Sequence, residues 1–200
     1  MRLKKGEWLL VLFNLIVIIG FTIYYGSIRN YEFIIYIGVI LLFFALILAT
    51  IRKTQFDYFI LAGLSLWALF HMAGGGIKVG EGVLYGVQLI PIINQGDLII
   101  LKFDQFVHAF GFGVSTIIGY HLIKPYLNEK TNYKIIYPLI VLIGMGIGAL
   151  NEIIEFIAVV LVPETGVGGY YNTALDLVFN MIGAICAVLI IYFRRKRNNS

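Results

Sequence analysis

The chain has 200 residues, 60% of them hydrophobic and only 13% charged, with a mean hydropathy of +0.91. Such values lie outside the range of soluble globular domains and define a polytopic membrane protein. The formal net charge of +4 does not point to nucleic acid, because the basic residues fall at span ends and tails and form no continuous face.

Met1-Arg2-Leu3-Lys4-Lys5 precedes an apolar run over residues 8–25 that is long and lacks a small-x-small cleavage site. We read this start as an uncleaved signal anchor. Further spans are expected over 33–51, 58–73, 104–123, 135–162 and 173–193, the last stopping at Arg194-Arg195-Lys196-Arg197. The fifth is about 42 Å long at 1.5 Å per residue, so it tilts or protrudes. The expected fold is an all-α bundle of six transmembrane helices, a single integral membrane domain over residues 1–200. Cys186, the single cysteine, lies mid-span, excludes an internal disulfide and is explained by packing.

With the N-terminus inside, twelve of the fifteen Lys and Arg residues fall on inner segments, leaving Arg29, Lys78 and Lys102 outside. That asymmetry predicts a multi-pass protein of the cytoplasmic membrane with both termini cytoplasmic. The outer loop 74–103 opens with Gly74-Gly75-Gly76 and carries two short apolar runs, 83–93 and 98–101. Neither is long enough to span, so both are expected as interfacial or re-entrant pieces covering the outer face. The other outer loop, 163–171, is rich in glycine and places Tyr170 and Tyr171 at interface depth. Gly144 with Gly148, and Gly111 with Ser115 and Gly119, have the small-xxx-small spacing of close helix contacts.

Ionisable groups inside spans are the informative exceptions. Each costs roughly 2.5–3.5 kcal/mol on insertion scales, so an intramembrane carboxylate is a functional-site candidate by default. Asn151, Glu152 and Glu155 share one helical face in the fifth span. Asp104 and His108, and Asp176 and Asn180, are i, i+4 pairs in the fourth and sixth spans, and His71 closes the third. Alternating span direction carries all of them to the outer half of the bilayer. No Lys or Arg lies within the spans, so even two protonated imidazoles leave this set short of positive charge. Protonated carboxylates or a bound cation would restore the balance. Hydrogen-bonded glue between helices, with Asp104 and Asp176 as N-terminal caps, is the alternative. Zinc-protease, nucleophile-elbow and phosphate-loop signatures are missing, and Ser115 reads as packing.

In order along the chain, the motifs are His71-Met-Ala-Gly-Gly, Leu84-Tyr85, Asp104-x-x-x-His108-Ala-Phe-Gly, Asn151-Glu152-x-x-Glu155-Phe156 and Asp176-x-x-x-Asn180-x-x-Gly183-Ala184. Their order resembles the YjdF-like family of uncharacterised inner-membrane proteins, over roughly residues 55–193. The last three motifs are also similar to VanZ-like proteins. Those lack the His-x-x-Gly-Gly segment, and where many of them carry an arginine-bearing stretch this chain has residues 166–171. The resemblance implies membrane location and a common site.

Three functions fit these residues. The first is binding or handling of an envelope lipid or lipid-linked precursor. Asp104, Glu152, Glu155 and Asp176 would engage head-group hydroxyls or a bridging cation, with Asn151, Asn180, His71 and His108 as polar partners. The second is a membrane-embedded, hydrolase-like enzyme using a divalent metal. Its candidate ligands are His71, Asp104, His108, Glu152, Glu155 and Asp176, with Glu152, Glu155 or His108 in acid/base roles. The third is an assembly protein whose polar cluster only orders helices. Substrate and oligomeric state are left open, and no nucleic-acid partner is expected.

Overall fold

The computed structural model describes residues 6–96, 98–162 and 165–198. The basic start of the signal anchor and the first two residues of the outer loop expected over 163–171 lie outside them. Six helices among the described residues are long and apolar enough to cross a membrane. They are α1 (Glu7–Ser27), α2 (Tyr31–Thr54), α3 (Tyr58–Gly76), α4 (Phe103–Ile123), α5 (Tyr133–Leu161) and α6 (Tyr170–Asn198). The protein is an all-α polytopic bundle.

Two compact units make up the chain. The first comprises Met1–Val87 and Glu155–Val167, the second Gln88–Ile154 and Gly168–Ser200. In the first, Asn30 and Asp57 cap α2 and α3 by accepting the N–H groups of Phe33 and Ile60. The Tyr25 hydroxyl, fully buried, donates to Met72 O at 2.5 Å, and the Tyr24 hydroxyl to Gly76 O at 2.8 Å. Lower in the same unit, Asn14 donates to Ser65 Oγ at 2.7 Å.

Helix α3 continues through Gly74, Gly75 and Gly76, where a loop was expected to open. Aromatic packing explains the extension. A Cβ at Gly74 would strike the Tyr85 ring, and one at Gly75 the Phe33 ring. Three glycines are tolerated in the last turn because bulky rings occupy the space their side chains would need.

The segment after α3 forms two antiparallel hairpins. The strands β1 (Lys78–Val79) and β2 (Gly82–Val83) pair in the first unit, and a 3-10 turn at Leu84–Gly86 follows. The strands β3 (Gln88–Gln95) and β4 (Leu98–Lys102) pair in the second and lead directly into α4. The apolar runs over 83–93 and 98–101 thus become mostly strand.

In the second unit α4 and α6 meet backbone to backbone. A Cβ at Gly183 would collide with the carbonyl of Ala109, and one at Gly113 would lie 3.2 Å from Gly183 O. Gly119 and Gly144 give similar room to Ile143 and Thr116, which brings α4 and α5 together.

Candidate functional site

Four helical turns of the second unit build a buried polar cluster around His108. The i, i+4 relation within α4 puts Asp104 Oδ1 3.8 Å from His108 Nε2. From α6, Asp176 Oδ1 lies 4.0 Å from the same nitrogen. On the other side of the ring, Nδ1 is 3.1 Å from Asn180 Oδ1 and 3.6 Å from Glu152 Oε1. Asp176 and Asn180 are both 0% exposed, and His108 is 5% exposed. The Gly183 and Gly148 positions make this approach feasible, since a Cβ at Gly148 would occupy the space of the Asn180 side chain.

Hydrogen-bond logic then constrains the protons. With Asn180 Oδ1 as acceptor, His108 Nδ1 carries the hydrogen. A neutral ring therefore turns the Nε2 lone pair toward two carboxylate oxygens, which are acceptors as well. These three ligand atoms lie within 4.8 Å of one another. Asp176 Oδ1, one of the converging oxygens, is buried with no hydrogen-bond partner among the described residues, and so is Asn180 Nδ2. Three lone pairs facing one another with no donor between them require a proton or a cation. The set of two carboxylates and one imidazole suits a divalent metal. Tetrahedral ligands at about 2.1 Å from zinc stand about 3.4 Å apart, so the observed spacing needs only a small contraction.

Lys102 changes the charge balance read from the spans alone. Its Nζ donates to Asn172 Oδ1 at 2.6 Å and lies 4.0 Å from Asp104 Oδ2, while Asn172 Nδ2 donates to Asp176 Oδ2 at 2.6 Å. Counting Asp104, Glu152 and Asp176 as ionised, Lys102 leaves this cluster with two negative charges. One divalent cation would cancel them.

The capping roles fall elsewhere than expected. The N-cap of α4 is Lys102, not Asp104. Gln105, fully buried, accepts from Leu101 N at 2.5 Å and Lys102 N at 3.1 Å, and donates to Ile99 O at 3.0 Å. Asp176 lies past the first turn of α6 and caps nothing. Asp104 is freed for the cluster because the Gln105 amide satisfies the start of α4 in its place.

Over residues 7–197 the chain matches the family described as predicted membrane protein (DUF2238). It belongs to that family. No curated protein and no solved structure matches it. Membership in DUF2238 agrees with the six spans and assigns no reaction.

The remaining candidates fall in the first unit or at its border. Asn151 is half-buried in the second unit's part of α5, next to Glu152, and Glu155 belongs to the first unit. His71 sits among aromatic rings, stacked on Trp67 at 5.4 Å and flanked by Phe33, Tyr36 and Tyr85. The Tyr85 hydroxyl is 2.6 Å from His71 Nδ1 and 3.0 Å from His71 O. A carbonyl can only accept, so Tyr85 donates there and receives the Nδ1 hydrogen, leaving Nε2 as the basic nitrogen.

Lys102, Gln105 and Glu32 were not among the site residues expected from the sequence, and Asn172 was placed only at the mouth of the sixth span. Glu32, buried in the first turn of α2, accepts from Gly166 N at 2.6 Å and ties down the segment before α6. A carboxylate just inside an apolar run was the available signal for Glu32. Lys102 and Asn172 had only their adjacency to span ends.

Proposed function

We propose that the protein binds the polar head group of an envelope lipid or lipid-linked precursor through a divalent cation held by Asp104, His108 and Asp176. The observation that carries this reading is the convergence of His108 Nε2 with Asp104 Oδ1 and the unpartnered Asp176 Oδ1. Its setting on membrane-crossing helices favours a ligand that arrives from the bilayer. Asn172 holds the second oxygen of Asp176, which orients the first toward the cation.

A second reading is a metal-dependent hydrolase with Glu152 as general base. Its support is that both Glu152 oxygens are buried, with Oε1 3.6 Å from His108 Nδ1, beyond hydrogen-bonding distance. We place the protein in the cytoplasmic membrane with both termini inside, on the distribution of basic residues. The narrower likeness to YjdF-like proteins, and the more distant one to VanZ-like proteins, belong to the same proposal.

Elemental analysis of detergent-purified protein, prepared without chelator, tests the cation. Near-stoichiometric zinc, manganese, magnesium or iron is expected in the wild type and not in a monodisperse Asp176→Asn variant. No metal in the wild type, and no binding on titration, would sink both readings. Lipid mass spectrometry before and after chelation then reads head-group capture. A Glu152→Gln variant that keeps its metal and lipid but loses turnover of that lipid would select the hydrolase.

A further inference from the structure

The β3–β4 hairpin is paired over only part of its length. Gln88 lies opposite Lys102 and Ile93 opposite Ile100, so residues 89–92 bulge out against Leu101 alone. Pro91, which has no N–H to give a ladder, falls inside the bulge. The Gln88 amide closes its base, Nε2 donating to Ile93 O at 3.0 Å and Ile100 O at 3.3 Å. Opposite, Leu101 holds a left-handed φ of 66°, a conformation that costs a non-glycine residue energy. Gln105 fixes that strained residue by accepting its N–H at 2.5 Å. The protrusion is thus a built feature, clamped to the first turn of α4.

It displays only apolar side chains. Leu89, Ile90 and Ile92 are 45%, 54% and 59% exposed, and no charged residue occurs from Gly82 through Gly96. Its position indicates what covers them. Leu101 is two residues before Phe103, where the membrane-crossing α4 begins. At about 3.3 Å per strand residue, Leu101, which stands opposite the bulge, lies within about 7 Å along the chain of the span's start. Phe106, one turn into α4, is exposed as well.

We infer that residues 89–92 form a membrane-inserting wedge that buries Leu89, Ile90 and Ile92 among lipid acyl chains at the bilayer interface. The wedge stands independently of the cation reading. Through Gln105 it fixes the start of α4, and with it Asp104 and Lys102, at interface depth.

The test uses the full chain with Cys186→Ala, which removes the single native cysteine, and one new cysteine at Ile90, Ile92 or Lys130. Each variant is labelled with a bimane fluorophore and reconstituted in phosphatidylcholine–phosphatidylglycerol vesicles. Nitroxide-bearing lipids and aqueous iodide serve as quenchers. Labels at positions 90 and 92 should be quenched severalfold more by the lipid nitroxide than by iodide, with the reverse order at 130. Iodide-dominated quenching at both 90 and 92 would overturn the wedge, since the bulge would then face water. Protection from both quenchers would overturn it too, by placing the bulge against protein.

Discussion

His108 occupies the centre of the second unit's chemistry because each ring nitrogen has its own set of partners. Nδ1 is committed to Asn180 at 3.1 Å, which leaves Nε2 facing Asp104 and Asp176. Lys102 tempers the resulting negative charge from 4.0 Å. At an effective dielectric near 20, a unit charge a few ångströms away contributes a few kcal/mol. Replacing Lys102 by Met should therefore tighten divalent-cation binding by about tenfold, or about 1.4 kcal/mol, read by calorimetric titration. Weaker binding would mean that Lys102 serves through Asn172 as a support, and that its charge is of little consequence.

Helix α6 reaches the cluster only because α4 lets it approach to backbone contact. At Gly183 a single methyl group would meet the Ala109 carbonyl, which has no rotamer with which to move aside. Gly183→Ala should therefore cost about 1–3 kcal/mol, the usual penalty of overpacking, and lower the melting temperature in detergent. It should also loosen the cation site, because Asp176 and Asn180 sit two and one turns before Gly183 on the same helix. An unchanged melting curve would show that the crossing has slack. The hairpin makes the same point for strands, since Gln88 and Gln105 hold a bulge that strand pairing alone would not keep.

The distribution of polar groups along α6 sets the whole molecule in its membrane. Asp176 and Arg195 are separated by about 28 Å of helix at 1.5 Å per residue, close to the thickness of a bilayer's hydrocarbon core. Arg195 lies 3.3 Å from the centre of the Tyr133 ring, and Tyr137 packs on Tyr192 nearby, as interfacial anchors do. The basic end should face the cytoplasm and the cluster the opposite side. Reporter fusions active only in the cytoplasm should work at both termini, and a reporter that requires export, inserted between Gly80 and Glu81, should work as well. A cytoplasmic signal from the inserted site would invert the protein and the side from which the cluster is reached.

Hydropathy and period are local properties, and what depends on them was legible in the chain. Apolar runs long enough to cross a bilayer announced six helices, and 3.6-residue periodicity put Asp104 with His108 and Asp176 with Asn180 on common faces. The sequence by itself therefore determined the class of fold and the candidate carboxylates, because both follow from the cost of placing backbone and charge in lipid. Tertiary structure alone decided who meets whom. Lys102 joined the cluster from the end of a strand, Gln105 took the cap expected of Asp104, and Gly113 and Gly183 set the crossing that aligns α6 with His108. Those outcomes depend on helix rotation and on contacts about seventy residues apart, such as Lys102 with Asn172, for which a linear pattern carries no signal.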